Sequence, residues 1–347
     1  MTFIFSMASF SLTRHSRSPN LVASPAPLRL IPSCSPSLSP LLFLSLDFFT
    51  KQKLILAVAA AEEMVNAATF WLSEHPSIVG FRWSHTQSWG STWSFLFTSI
   101  SLYLTLSLLL SAAIRLLRTR PFHLGPLSAL HSLSMALISV TIFAGILLSA
   151  AAEIRDTRWF WRRSKTPFQW LLCLPLGPRP SGRVFFWSYV FYLSRFLHMF
   201  RTFFAIVRRR RLAFSQLFNN SILTFMSFLW LEFSQSFQVL AILSTTLVYS
   251  AVYGYRFWTA VGLPSACDFP FVVNCQIVLL GCHVACHVGV LAMHFLKGGC
   301  NGIGAWVLNS VLNGVMMLLF LRFYVEKMRL GKRRDIINHG QLRDKET

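Results

Sequence analysis

Residues 127–150 read LSALHSLSMALISVTIFAGILLSA and contain no charged side chain. As a helix rising 1.5 Å per residue, a run of this length spans about 36 Å, enough to cross the ~30 Å hydrocarbon core of a bilayer. Working outward, apolar stretches near that length recur at 92–114, 184–207, 212–231, 237–261, 271–296 and 303–325, and no soluble domain fits between them. The expected fold is therefore an all-α integral membrane protein, a bundle of about seven transmembrane helices. Composition agrees: 54% of residues are hydrophobic and 13% charged, against roughly 25% charged in a soluble domain.

The formal net charge of +20 would suit nucleic acid, but the basic residues stand in short clusters beside apolar runs. That is the positive-inside pattern, so membrane lipid is the expected counter-charge and no nucleic-acid partner is expected. Arg115, Arg118 and Arg120 follow the first span, Arg208 to Arg211 the third, and Arg329, Lys332, Arg333 and Arg334 the last. With seven spans all three clusters fall on one side, which makes that side cytosolic and the N-terminus lumenal. The loop 230–236 lacks Lys and Arg, as a lumenal loop should. One loop dissents: 153–183 carries Arg155, Arg158, Arg162, Arg163 and Lys165 on the expected lumenal side. Either residues 159–161 re-enter the interface or the span count is off by one.

Residues 1–63 read as an extension rich in Ser and Pro, with Arg14, Arg17 and Arg29 and no acid before Asp47. A transit-like segment, a disordered extension and an upstream start with the true one near Met64 all fit. Residues 64–327 then form the membrane domain and 328–347 a basic cytosolic tail. Arg343 and Lys345 weakly resemble a cytosolic retrieval signal. Seven scattered cysteines make no dense framework. The topology does place Cys173 and Cys300 together on the lumenal side, where an oxidising compartment would allow a disulfide.

The stretch Gln216-Leu217-Phe218-Asn219-Asn220 places amides at i, i+3 and i+4, on one face of a helix. An amide facing lipid is costly, so the face should point into the bundle. In the third span Arg195, His198 and Arg201 share a face in the same way. Glu232 is the one nearby acid at a helix end that could neutralise them, which makes an anionic ligand an attractive partner for this face. In the sixth span the i, i+4 pairs His283/His287 and Cys282/Cys286 have chelating spacing, but packing is the plainer reading and no metal is expected. Asn219-Asn220-Ser221 is formally a glycosylation sequon inside a span, where no glycan is expected. Residues 298–302 are a turn by composition.

The segments Ser73-Glu74-His75-Pro76, Phe81-Arg82-Trp83, Trp89-Gly90-Ser91-Thr92, Phe185-Phe186-Trp187, Tyr192-Leu193-Ser194, Tyr253-Gly254-Tyr255 and Gly299-Cys300-Asn301-Gly302 resemble the ELO family of fatty-acid elongases. The plant branch is the most similar. The resemblance implies a multi-pass protein of the endoplasmic reticulum membrane. It implies malonyl-CoA and long-chain acyl-CoA as substrates, condensed to a 3-oxoacyl-CoA in very-long-chain fatty acid elongation. No permanently bound cofactor is implied, and partners would be acyl-CoA, other elongase-complex enzymes or ELO homologues.

The active-site motifs depart from the family pattern. Its Lys-x-x-Glu-x-x-Asp-Thr falls on Arg195, His198, Arg201 and Thr202; its histidine box falls on Gln216, Asn219 and Asn220. Its fifth-helix His-x-x-Met-Tyr-x-Tyr-Tyr falls on Tyr249, Val252, Tyr253, Tyr255 and Arg256, and of Thr-x-x-Gln-x-x-Gln only Gln276 remains, with Val273 and Leu279 outside it. Imidazole can accept an acyl group and move protons near pH 7, whereas amides can only orient a carbonyl or donate to an oxyanion. Two expectations stay open: a divergent condensing enzyme using His198, or a catalytically silent homologue that binds acyl-CoA or regulates an elongase complex.

Overall fold

The computed structural model describes residues 58–117, 125–160, 171–174, 177, 179–209, 214–262 and 268–346, with the backbone alone at 157–160, 214–215, 268–270, 297, 323 and 326–346. Among the described residues seven long helices follow one another: α1 Trp93–Leu116, α2 Gly125–Phe160, α3 Arg183–Val207, α4 Phe214–Glu232, α5 Gln238–Ala260, α6 Asp268–Lys297 and α7 Ile303–Glu346. The described residues contain no β-strand, only the isolated bridge between Arg82 and Ser181. The protein is an all-helical, multi-pass membrane protein.

Five helices are long and apolar enough to cross a membrane by composition: Trp93–Leu116, Gly125–Asp156, Arg183–Val207, Phe271–Leu296 and Ile303–Arg322. Helices α4 and α5 are more polar because they carry Gln216, Asn219, Asn220 and Gln238, all four of them buried. Polar side chains are tolerated at such depth where they face the bundle interior. The lipid-type surface is carried elsewhere, for example by exposed Leu102, Leu106 and Leu109 on α1.

Two helices outrun the apolar stretches that announce them. α2 continues to Phe160, because Ala151, Ala152, Glu153 and Arg155 keep favouring helix after hydrophobicity ends. Residues 159 and 160 thus continue α2 instead of re-entering, while Trp161 and Lys165 lie outside the described residues. Arg183 at the start of α3 bonds Asp156 at 2.5 Å, which draws part of the dissenting loop's charge into an ion pair. Likewise the backbone of α7 runs through the basic tail to Glu346. Residues 58–69 are helical too, ahead of the 63/64 boundary, since Ala59 to Glu63 are strong helix formers. Residues 58–71 fall in a compact unit separate from the one that begins again at Leu72 and carries the bundle. Residues 1–57, Arg118, Arg120, Arg210 and Arg211 lie outside the described residues.

Within the bundle α2 packs most extensively on α5 and α3, and α3 on α4. The α2–α3 approach depends on Gly145: any Cβ there would run into the Trp187 ring. That indole donates its N–H to the Leu72 carbonyl at 2.7 Å, which ties the segment before the short helix Pro76–Val79 to α3.

One end of the bundle is fastened by three loops. Cys173 and Cys300 form a disulfide. Beside it, the Asn301 amide donates to the carbonyls of Phe233 (3.2 Å) and Ser234 (3.0 Å). The Asn301 backbone N–H donates to Leu174 O at 3.0 Å, and the Ser236 hydroxyl donates to Asn301 O at 2.9 Å. Gly302 lets these strands of chain meet: its φ is +68° and a Cβ would lie 2.8 Å from Phe233 O.

The clasp makes a test possible. Gly302→Ala should lower the thermal midpoint of detergent-solubilised protein, by about 1–3 kcal/mol of stability. Gly304→Ala, whose Cβ would meet nothing within 4 Å, should leave the midpoint close to the wild-type value.

Candidate functional site

The buried face of α3 carries Arg195, His198 and Thr202, each at most 6% exposed. The spacing of three, then four, stacks them along one stripe facing α4 and α5. Arg195 lies at the middle of α3, and His198 and Thr202 lie in the half toward Arg208. The clasp closes the opposite end.

Arg195 Nη2 lies 2.8 Å from His198 Nε2 and 3.3 Å from Ser194 Oγ. Its guanidinium sits over the rings of Phe191 (4.2 Å) and Tyr249 (5.0 Å). No carboxylate stands among these neighbours. A buried arginine at mid-helix costs about 2.5–3.5 kcal/mol even on lenient insertion scales, and aromatic faces offset only part of that. Glu232 does not serve as the counter-charge. It sits at the far end of α4, accepts the Trp83 indole N–H at 3.0 Å and pairs with His85 at 3.3 Å.

The hydrogen bonds of His198 decide its chemistry. A guanidinium has only donors, so Nε2 must accept from Arg195. In the neutral ring the proton then resides on Nδ1, which donates to the Tyr253 hydroxyl at 2.6 Å. Both nitrogens are used. The lone pair that a general base or nucleophile would offer points at a cation.

A second knot forms on the Thr202 hydroxyl. It meets Tyr103 Oη at 2.8 Å, and it accepts from Asn220 Nδ2 at 3.1 Å and Gln216 Nε2 at 3.3 Å. Asn220 Nδ2 also donates to Tyr103 Oη at 2.9 Å. One small hydroxyl thus joins α1, α3 and α4. Asn219, 1% exposed, differs from its neighbours: neither atom of its amide has a partner among the described residues. Its burial also closes the sequon to a glycan.

The structure brings together Arg195, His198, Tyr249 and Tyr253 in one group, and Thr202, Gln216 and Asn220 in another. Arg201 and Arg256 both interact with Tyr253, at the edge of the first group. Tyr255 turns away, its ring 5.2 Å from Phe271 on α6. Gln276 is buried on the α6 face that also carries Val272, Val273 and Leu279. His287 is occupied by Ser310 (2.9 Å) and Asn313 (3.2 Å) of α7, which is a packing role. Sequence reasoning missed Tyr103, although a lone tyrosine in a lipid-exposed span was a signal, because its hydroxyl needs a partner.

With this arrangement in view, the ELO model described as the GNS1/SUR4 family matches residues 88–335. The chain belongs to the ELO family. It is 70% identical over 279 residues to "Fatty acid elongase 3-like" of Arabidopsis thaliana, covering 79% of this chain and 96% of that protein. It is 24% identical over 270 residues to "Fatty acid elongase A" of Dictyostelium discoideum (76% of this chain, 93% of that one). It is 21% identical over 261 residues to "Fatty acid elongase sre1" of the same organism (73% and 91%). No solved structure matches. This ELO protein is thus a fatty-acid-elongase-like membrane protein whose helical bundle carries amides and a tied-up imidazole at its polar centre.

Removing the shared hydroxyl tests the second knot. Thr202→Val keeps the shape but takes the acceptor from Gln216 Nε2 and leaves Tyr103 and Asn220 only their bond to each other, and should cost about 1–3 kcal/mol. Thr202→Ser should recover most of that loss, read as thermal midpoints in detergent.

Proposed function

We propose that this ELO protein works in very-long-chain fatty acid elongation as a catalytically silent acyl-CoA binder that regulates a partner elongase. The single observation carrying this reading is His198, the one imidazole at the motif positions, with Arg195 on Nε2 and Tyr253 on Nδ1. Without a free lone pair it neither accepts an acyl group nor removes a proton, and amides at 216, 219 and 220 do neither. The site keeps the means to hold a substrate. Arg195 offers an uncompensated buried cation for a carboxylate or phosphate, and the Asn219 amide is free to orient a thioester carbonyl. In this reading the protein lies in the endoplasmic reticulum membrane, N-terminus lumenal and C-terminus cytosolic, associated with elongase-complex enzymes or ELO homologues.

The second reading is the condensing enzyme itself, joining malonyl-CoA to long-chain acyl-CoA. It is favoured by the elongase names of the relatives and by Asn219 as an oxyanion donor. Expression in yeast lacking its own elongases separates the two. The unaltered chain should give no growth rescue and no new very-long-chain products. Gln216→His, Asn219→His, Asn220→His and Tyr249→His together should restore products. Rescue by the unaltered chain, lost on His198→Ala, would overturn the silent reading in favour of the divergent enzyme.

A further inference from the structure

At the clasped end of the bundle a second set of polar groups is buried without partners. Gln235 and Gln238 are fully buried at the start of α5, and Asn309 is fully buried on α7. Asn309 Nδ2 donates to Gln235 Oε1. Gln235 Nε2, both side-chain atoms of Gln238 and Asn309 Oδ1 remain without partners among the described residues. The indole nitrogens of Trp230 and Trp306 are in the same condition, and both rings belong to the buried apolar cluster at this level. Native proteins leave few such groups, and each calls for a reason. Poor packing is not the reason, because adjacent polar groups are paired: Ser310 and Asn313 hold His287, and Asn301 uses its whole amide in the clasp.

The position of the set is informative. Along α5 the buried positions Gln238, Ile242, Thr245, Tyr249 and Val252 form one continuous stripe. Gln238 stands at its clasped end; Tyr249 and Tyr253, which contact Arg195 and His198, stand at the other. The separation of Gln238 from these tyrosines is about 16–22 Å at 1.5 Å per residue. One leaflet's acyl chain covers about 15 Å, half of the ~30 Å hydrocarbon core. A 16-carbon acyl chain whose thioester end lies at Arg195 thus has the length to reach the amides along this stripe. These amides and indoles offer both donors and acceptors and carry no charge. A neutral hydroxyl, with one donor and two acceptor sites, can bond up to three of these atoms, whereas a carboxylate would be buried there without a cation.

Accordingly, we infer that Gln235, Gln238 and Asn309 form a subsite for a terminal hydroxyl, so that the protein selects ω-hydroxyacyl-CoA over the unsubstituted acyl-CoA. This rests on the acyl-CoA reading of the polar centre and names the substrate class it takes.

The test is equilibrium binding of hexadecanoyl-CoA and 16-hydroxyhexadecanoyl-CoA to the full chain in nanodiscs. The hydroxylated ligand should bind about three- to tenfold more tightly, the worth of one well-made neutral hydrogen bond. Gln238→Leu and Asn309→Leu should each bring the ratio toward one. Tight binding of both ligands with equal affinity, or tighter binding of the unsubstituted one, overturns the subsite and leaves the acyl-CoA reading standing. If neither ligand binds, both readings fall. The wild-type comparison decides the matter even where a variant does not fold.

Discussion

A polar side chain in a hydrocarbon medium must find its partner inside the protein, and this constraint organises the bundle. Thr202 shows it most directly. Its hydroxyl gathers Tyr103 from α1 and Gln216 and Asn220 from α4, three side chains that would each be expensive against lipid. The rotation of α1 and α4 about their axes follows from it. Leucines of α1 then face outward because the tyrosine faces in.

The same constraint makes the other buried polar groups conspicuous. Arg195 has aromatic rings and a histidine for neighbours where an ion pair would be expected. Among the described residues the amide of Asn219 has no partner, nor has that of Gln238. Burial without satisfaction destabilises a fold, and the interior of a bundle tolerates it where a ligand completes the set. Gln238 stands at the clasped end of the buried stripe of α5, and Asn219 near the start of α4.

This ELO chain, 70% identical to a plant relative, has a helical bundle, a disulfide-bearing turn and an interior polar face. A catalytic imidazole needs one nitrogen free, and here a guanidinium from the preceding turn takes it.

Hydropathy alone determined that the chain is a membrane bundle, because apolar runs of bilayer length have no other stable home. Spacing alone determined that Gln216, Asn219 and Asn220 share a face, and that Arg195 and His198 share another, since helix geometry is local. The ends of α2 and α7 were less legible: good helix formers continue past the last apolar residue, and hydropathy does not register them. Pairings across helices were not legible at all. That Glu232 serves Trp83 and His85 and not Arg195, that Tyr103 belongs to the centre, and that Gln238 is stranded depend on helix rotation and tilt. Those are set by the sum of packing contacts such as Gly145 against Trp187, and no single stretch of sequence contains that sum.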